Sequence, residues 1–212
     1  MDILSRIADG LQKGDDKQVG ALTSEALAGG IPAGDVLQKG LIAGMNVVGE
    51  QFRLREIFLP DVLLSARAMH AGLELLRPLL AKEGVPLRGK VVLGTIQGDL
   101  HDIGKNLVGI MLKGAGFEVI DLGHDVTPEA FVDAAVREGA PLIGMSALLT
   151  TTMSRMREVV NLIGTRGLSG QIKTIVGGAP LSPEFAREIG ADDYASDGAT
   201  AVERVKTLLG VA

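Results

Sequence analysis

The chemistry in this sequence centres on Asp99 and His101, two residues apart in the run Gly98-Asp99-Leu100-His101-Asp102-Ile103-Gly104-Lys105-Asn106. A carboxylate at this spacing can accept the Nδ1 proton of the imidazole. That fixes the tautomer and leaves Nε2 free as a metal ligand. A lone histidine is most often solvated or a satisfied core residue. Three features set this one apart: it follows a strand candidate, it has an adjacent carboxylate, and Gly104 clears space beside it. The run also invites comparison with a phosphate-binding loop, since Gly104-Lys105 opens a helix. Its glycines are one residue too far apart, and Asn106 stands where Ser or Thr must hold magnesium. A self-contained zinc site lacks ligands, because the chain has no Cys and only three His. One protein ligand with an acidic orienter suits a metal whose other positions are already filled, that is, a metal in a macrocycle.

The elements that must position these residues fall into two parts. Up to about residue 83 the apolar spacing is helical. Ile3, Leu4, Ile7 and Leu11 mark a first helix, Val19, Leu22 and Ala26 a second, and Leu37, Leu41, Met45, Val48 and Phe52 a third. Leu59, Val62, Ala66, Met69, Leu73, Leu76 and Leu80 form one long amphipathic stripe. The expectation is a four-helix bundle over residues 1–86. Glu83–Gly89 interrupts both periodicities with Gly and Pro. Beyond it, strands predicted at Lys90–Ile96, Phe117–Leu122, Pro141–Met145, Ile172–Val176 and Asp193–Ala195 alternate with helices at Asp102–Gly114, Pro128–Glu138, Met153–Ile163, Pro183–Ile189 and Thr200–Leu209. This pattern predicts an α/β domain over residues 87–212. It would be a flavodoxin- or Rossmann-like five-stranded parallel sheet with helices on both faces, binding its ligand beyond the carboxyl ends of the strands.

Composition narrows the field. The 212 residues carry a net charge of −5 and 3% aromatics, which argues against nucleic acid as a partner. Without Cys there is no disulfide framework, iron–sulfur cluster or thiolate metal site. No stretch approaches the ~20 apolar residues of a membrane span and no secretory leader is visible, so a soluble cytoplasmic protein is expected. The 29 glycines are about double the usual share. Several end short apolar runs, where they permit tight turns and close backbone approach to a flat ligand.

Gly98 to Asn106 resembles the Asp-x-His-x-x-Gly signature of cobalamin-binding proteins. Ser146-Ala147-Leu148 and Gly177-Gly178 resemble the two downstream motifs of that family, in order and spacing. Val47-Val48-Gly49, Phe52 and Phe58-Leu59-Pro60 resemble the helical cap that precedes this domain in methionine synthase. The resemblance spans essentially the whole chain, and is nearest to the free-standing corrinoid proteins that serve methylamines, methanol, glycine betaine or methoxylated aromatics in anaerobes. It implies that His101 is the lower axial ligand of cobalt, with Asp99 its hydrogen-bonded partner. By the same resemblance Thr152 would supply the relay hydroxyl, where the family usually has Ser. A helix N-cap is the plainer reading of Thr150-Thr151-Thr152. The cofactor pocket would include Gly98, Asp102, Ile103 and Gly104 near the histidine. Ser146, Leu148, Thr150, Gly177 and Gly178 would lie along the nucleotide tail, and Phe52, Leu59 and Val62 would come from the cap. His124 reads as a surface-loop residue and His70 as a packing or boundary residue without a role.

The implied function is carriage of a methyl group in one-carbon metabolism. Cobalt would accept it inside a substrate-specific methyltransferase and release it inside a second, to tetrahydrofolate or a thiol. A reductive activase would be a further partner. The chain would be the corrinoid subunit of a multi-component system, without catalysis alone. The alternatives are the cobalamin subunit of an adenosylcobalamin mutase, and a cobalamin-based sensor. Neither suits a chain with this cap and no helix-turn-helix pattern.

Overall fold

A computed structural model of the chain describes residues 2–83 and 88–211. These fall into a helical unit and an α/β unit. Residues 84–87, in the expected link, lie outside the described residues.

The helical unit contains α1 (Ile3–Gln12), α2 (Asp16–Ala28), α3 (33–53) and α4 (Leu59–Glu83). Aspartates cap the first two: Asp2 accepts from the Ser5 N–H and Asp15 from the Gln18 N–H, at 2.8 and 2.9 Å. Ile7, Leu11, Val19, Leu22, Leu37, Leu41, Met45, Val62, Leu73 and Leu76 are buried, as the spacing predicts. The third helix departs from expectation, since Val36–Ile42 is π-helical. Leu37, Leu41 and Met45 are spaced by four, and each step overruns a 3.6-residue turn by about 40°. A wider turn keeps all three inward. Gly40 lies on this turn, where a Cβ would stand 3.2 Å from Ile7 Cγ2.

The α/β unit is a parallel sheet in the order β2-β1-β3-β4-β5. Its strands are β1 (Lys90–Thr95), β2 (Glu118–Asp121), β3 (Leu142–Ser146), β4 (Lys173–Gly177) and β5 (Asp193–Ala195). The intervening helices are α5 (Ile103–Gly114), α6 (Pro128–Glu138), α7 (Arg155–Thr165) and α8 (Pro183–Ile189), and α9 (Gly198–Leu209) ends the unit. Val92, Ile143, Met145 and Val176 share a core cluster with Phe131 and Val132 of α6, Met156 and Val159 of α7 and Ile189 of α8. On α5, a Cβ at Gly109 would stand 3.2 Å from Leu93, whose neighbours Val92 and Gly94 point the opposite way along the strand. The doubly wound fold therefore matches the sequence reading. Among the described residues no helix is long and apolar enough to cross a membrane.

Register places the site. Thr95 pairs with Ser146, Ser146 with Gly177, and Gly177 with Ala195. One row of residues thus ends four adjacent strands, and the loops that follow carry the candidate residues. In open α/β sheets this edge is where ligands bind.

Candidate functional site

Asp99 is the organising group. Its side chain is completely buried, and its carboxylate is saturated with donors. Oδ1 accepts from the His101 N–H at 3.0 Å and from His101 Nδ1 at 2.7 Å. Oδ2 accepts from the N–H groups of Leu148 and Leu149, at 2.7 and 3.0 Å, and lies 3.1 Å from Thr152 Oγ1. Burial pushes the carboxyl pKa up. The backbone donors of His101 and Leu148, the His101 ring and the Leu149 N–H outweigh it and hold the group well below the ordinary carboxylate range. An ionised Asp99 accepts only, so Nδ1 of His101 carries the proton and, in the neutral ring, Nε2 keeps its lone pair. The ring is 52% exposed while its partner is at 0%. A buried carboxylate thus orients a half-exposed imidazole.

Thr152 is buried and its hydroxyl has two acceptors, Asp99 Oδ2 and the Leu149 carbonyl at 2.9 Å. Its one proton is shared between them. The N-cap expectation for Thr150–Thr152 is corrected here: α7 starts at Arg155 with Ser154 at its cap, and residues 150–154 form turns. The Thr152 hydroxyl serves Asp99 and its own turn instead. Thr150 is exposed on that turn.

Three further residues were not singled out from sequence. Thr95, buried at the end of β1, pairs its hydroxyl with Ser146 Oγ at 2.9 Å and donates to the His101 carbonyl at 3.2 Å. Lys105, also buried, places Nζ 2.7 Å from both oxygens of Asp121 and 2.6 Å from Asn106 Oδ1. Lys105 follows directly on the Gly98–Gly104 run, and Asp121 stands at a strand end. Those positions were the available signals.

The glycines divide into two kinds. Gly178 has φ +134°, and a Cβ there would stand 1.9 Å from the Ala147 carbonyl oxygen. A Cβ on Gly177 would stand 2.9 Å from the Ala195 carbonyl oxygen. Both are therefore required by the close approach of β4 to its neighbours, whatever a ligand asks of them. Gly98, at φ +86°, turns the loop beside Thr152. Gly104 instead faces open space, in the first turn of α5. Around His101 the surface is apolar: Ile103 is 76% exposed, and Leu100, Leu148 and Leu149 are exposed as well. Asp102 begins α5 by accepting the Asn106 N–H. In the helical unit Phe52 and Leu59 are half-buried and Val62 has no exposed surface. His124 and His70 are exposed.

Among the described residues no three of His, Asp and Glu converge as an ion-binding group. The donor set at His101 is one oriented imidazole amid exposed leucine and isoleucine, with open space over Gly104. That chemistry fits a flat, largely apolar metal macrocycle needing one axial nitrogen.

Comparison with known proteins defines the class. Residues 89–206 match the B12 binding domain family, and residues 3–77 match a second B12 binding domain family. The chain is 43% identical over 213 residues to a corrinoid protein of Desulfitobacterium hafniense, covering 99% of both chains. It is 41% identical over 210 residues to trimethylamine corrinoid protein 1 of Methanosarcina mazei, covering 98% of this chain and 97% of that one. The solved methanol:cobalamin methyltransferase complex of Methanosarcina barkeri contains a chain that superposes with a TM-score of 0.87 at 30% identity. The match covers 99% of this chain and 80% of that one. The chain belongs to the B12-binding family. It is a corrinoid-binding protein whose relatives serve methyltransferase systems, so the mutase-subunit and sensor alternatives are not favoured.

Proposed function

We propose that this chain carries methyl groups between two separate methyltransferases, with His101 as the axial ligand of its corrinoid. The observation that carries the reading is the 2.7 Å contact of His101 Nδ1 with a buried carboxylate that accepts four further donors. A bound corrinoid supplies a cobalt centre that takes up a methyl group and gives it away again.

The protein's own residues set the conditions. Asp99 holds the proton on Nδ1, so Nε2 is a ligand and not a donor. The shared proton of Thr152 can turn wholly toward Asp99 Oδ2, weakening the pull of Asp99 on the Nδ1 proton. A proton gained by Nε2 would occupy the lone pair and release the ligand, so this hydrogen-bonded set tunes how firmly His101 holds on. Ile103, Leu100 and Leu148 offer exposed apolar surface against which a macrocycle would pack. Asp102, Gly104, Ser146, Thr150, Gly177 and Gly178 complete the proposed lining.

In this reading the α/β domain from residue 87 binds the cofactor, and the helical domain of residues 1–86 would contribute Phe52 and Leu59, which are half-buried, whereas Val62 is packed inside the bundle. One partner would deliver the methyl group from its donor substrate, the other would pass it on to tetrahydrofolate or a thiol, and a reductive activase would restore the reduced cobalt, all in the cytoplasm. To test this, the full chain is reconstituted with cobalamin, reduced and exposed to a labelled methyl donor with a candidate first methyltransferase. The label should stay with the chain through gel filtration and leave when a second methyltransferase and its acceptor are added. Label that never transfers to the chain from any methyltransferase encoded beside its gene would sink the carrier reading.

A further inference from the structure

After β2 the chain makes a two-residue excursion. The Thr95 N–H donates to the Gly123 carbonyl at 2.9 Å, and the Thr95 carbonyl accepts the Val126 N–H at 3.0 Å. Ile96 and Val126 then form a parallel bridge. Pairing with the first strand therefore resumes beyond His124 and Asp125, which are looped out between the two bonds. Asp125 adopts φ +55°, in the left-handed region that costs any residue with a Cβ.

The looped-out residue does one specific thing. Its Oδ1 accepts the Gly98 N–H at 2.8 Å, and its own N–H donates to the Asp99 carbonyl at 3.1 Å. These two bonds grip the Gly98–Asp99 segment from both sides. Gly98 is exposed, so water could satisfy its N–H equally well. The carboxylate is therefore not needed to rescue a stranded donor. What it adds is a fixed position for the backbone from which the Asp99 side chain reaches His101.

We propose that Asp125 is a positioning residue for the axial ligand, holding the Gly98–Asp99 backbone so that Asp99 presents His101 at one angle and reach. The inference rests on the reading of His101 as the corrinoid ligand. The strained bulge and the ligand loop form one device, contributed by two different strands. Its side-chain acceptor is the part that a residue distant in sequence supplies to the loop.

The test uses the full chain labelled with 15N-histidine, loaded with cob(II)alamin and read by electron paramagnetic resonance. A histidine ligand then splits the cobalt signal as a 15N doublet, which a ligand from the corrinoid's own base cannot do. Asp125→Gly relieves the backbone strain but removes the acceptor. It should weaken cob(II)alamin binding about tenfold and lower the fraction of cobalt showing the doublet. Asp125→Asn, which keeps an acceptor and tolerates the left-handed conformation, should restore most of both. In the cofactor-free chain, amide exchange at Gly98 should quicken in Asp125→Gly and recover in Asp125→Asn. A doublet and affinity unchanged in Asp125→Gly overturn the proposal, and so does an Asp125→Asn variant as impaired as Asp125→Gly. If the parent chain shows no doublet that His101→Ala abolishes, the ligand reading itself has failed. Equal amide exchange at Gly98 in the parent and Asp125→Gly then overturns the clamp independently.

Discussion

Lys105 Nζ lies 2.7 Å from each carboxylate oxygen of Asp121, tying the first turn of α5 to the end of β2. The lysine side chain is 1% exposed and the aspartate 39%. An ammonium at the start of a helix opposes the helix dipole, so its acidic partner matters more than in an ordinary surface pair.

The two members should respond unequally to substitution. Asp121→Asn leaves a buried ammonium with weakened compensation and should cost about 1–3 kcal/mol, less than for a pair buried on both sides. Lys105→Met leaves an aspartate that water can reach, and should cost less. Urea unfolding of both variants checks the order, and the reverse order would show that Lys105 acts by its contacts and not by its charge.

Acid should weaken the fold in a defined direction. Burial raises the pKa of Asp99 and of Asp197, but the hydrogen bonds each accepts outweigh it and both carboxyls end below their ordinary values. A carboxyl depressed by folding contributes stability that is complete above its unfolded value of about 3.9 and is lost as pH falls toward the folded value. Stability of the cofactor-free chain should therefore be flat near neutrality and fall below about pH 4. Asp197 caps α9 by accepting the Thr200 N–H at 2.8 Å. Asp197→Asn preserves the cap but not the charge, so it should soften the acid limb with little cost at pH 7. An acid limb as steep as that of the parent chain would count against this account.

Much of this architecture is written locally. Gly and Pro punctuate the α/β half closely enough that each strand and helix falls within a few residues of its expected place. The Asp99–His101 pair is legible because its members are two residues apart. Thr95 with Ser146 is not, because 51 residues separate two hydroxyls that only the strand register brings together. Asp125 is equally hidden, since a bulge and a left-handed φ leave no mark on hydropathy. The π-helical turn escapes for a different reason: residues spaced by four suit an ordinary helix and a widened one alike over so short a span.

The two classes of glycine give opposite expectations. Gly178→Ala drives a Cβ against the Ala147 carbonyl at a φ that alanine resists, and should cost about 3 kcal/mol or more. Gly104→Ala adds a methyl group in open space within a helix, and should leave stability equal or raise it by up to about 1 kcal/mol. If the space over Gly104 receives a corrinoid, that same variant should bind cobalamin more weakly. Thermal unfolding and cobalamin titration, run side by side, separate the effects. Unimpaired cobalamin binding in Gly104→Ala would place the macrocycle elsewhere.

The final expectation concerns the order of effects along the relay. His101→Ala removes the axial nitrogen but leaves the apolar contacts of Ile103 and Leu148, so cobalamin should remain bound with an altered absorption spectrum. Asp99→Asn replaces an acceptor of five donors with a group that must turn an NH2 toward some of them. It should destabilise the loop and weaken cobalt ligation by about 10–100-fold. Thr152→Ser keeps the hydroxyl that lies 3.1 Å from Asp99 and should behave as the parent chain. Thr152→Val keeps the volume and loses the proton, so Asp99 would pull harder on Nδ1. His101 should then hold cobalt more firmly, and the cob(II)/cob(I) midpoint should move to lower potential. Spectroelectrochemical titration of the four variants reads this directly. A Thr152→Val midpoint equal to that of Thr152→Ser would confine the hydroxyl to its bond with the Leu149 carbonyl, and the relay would end at Asp99.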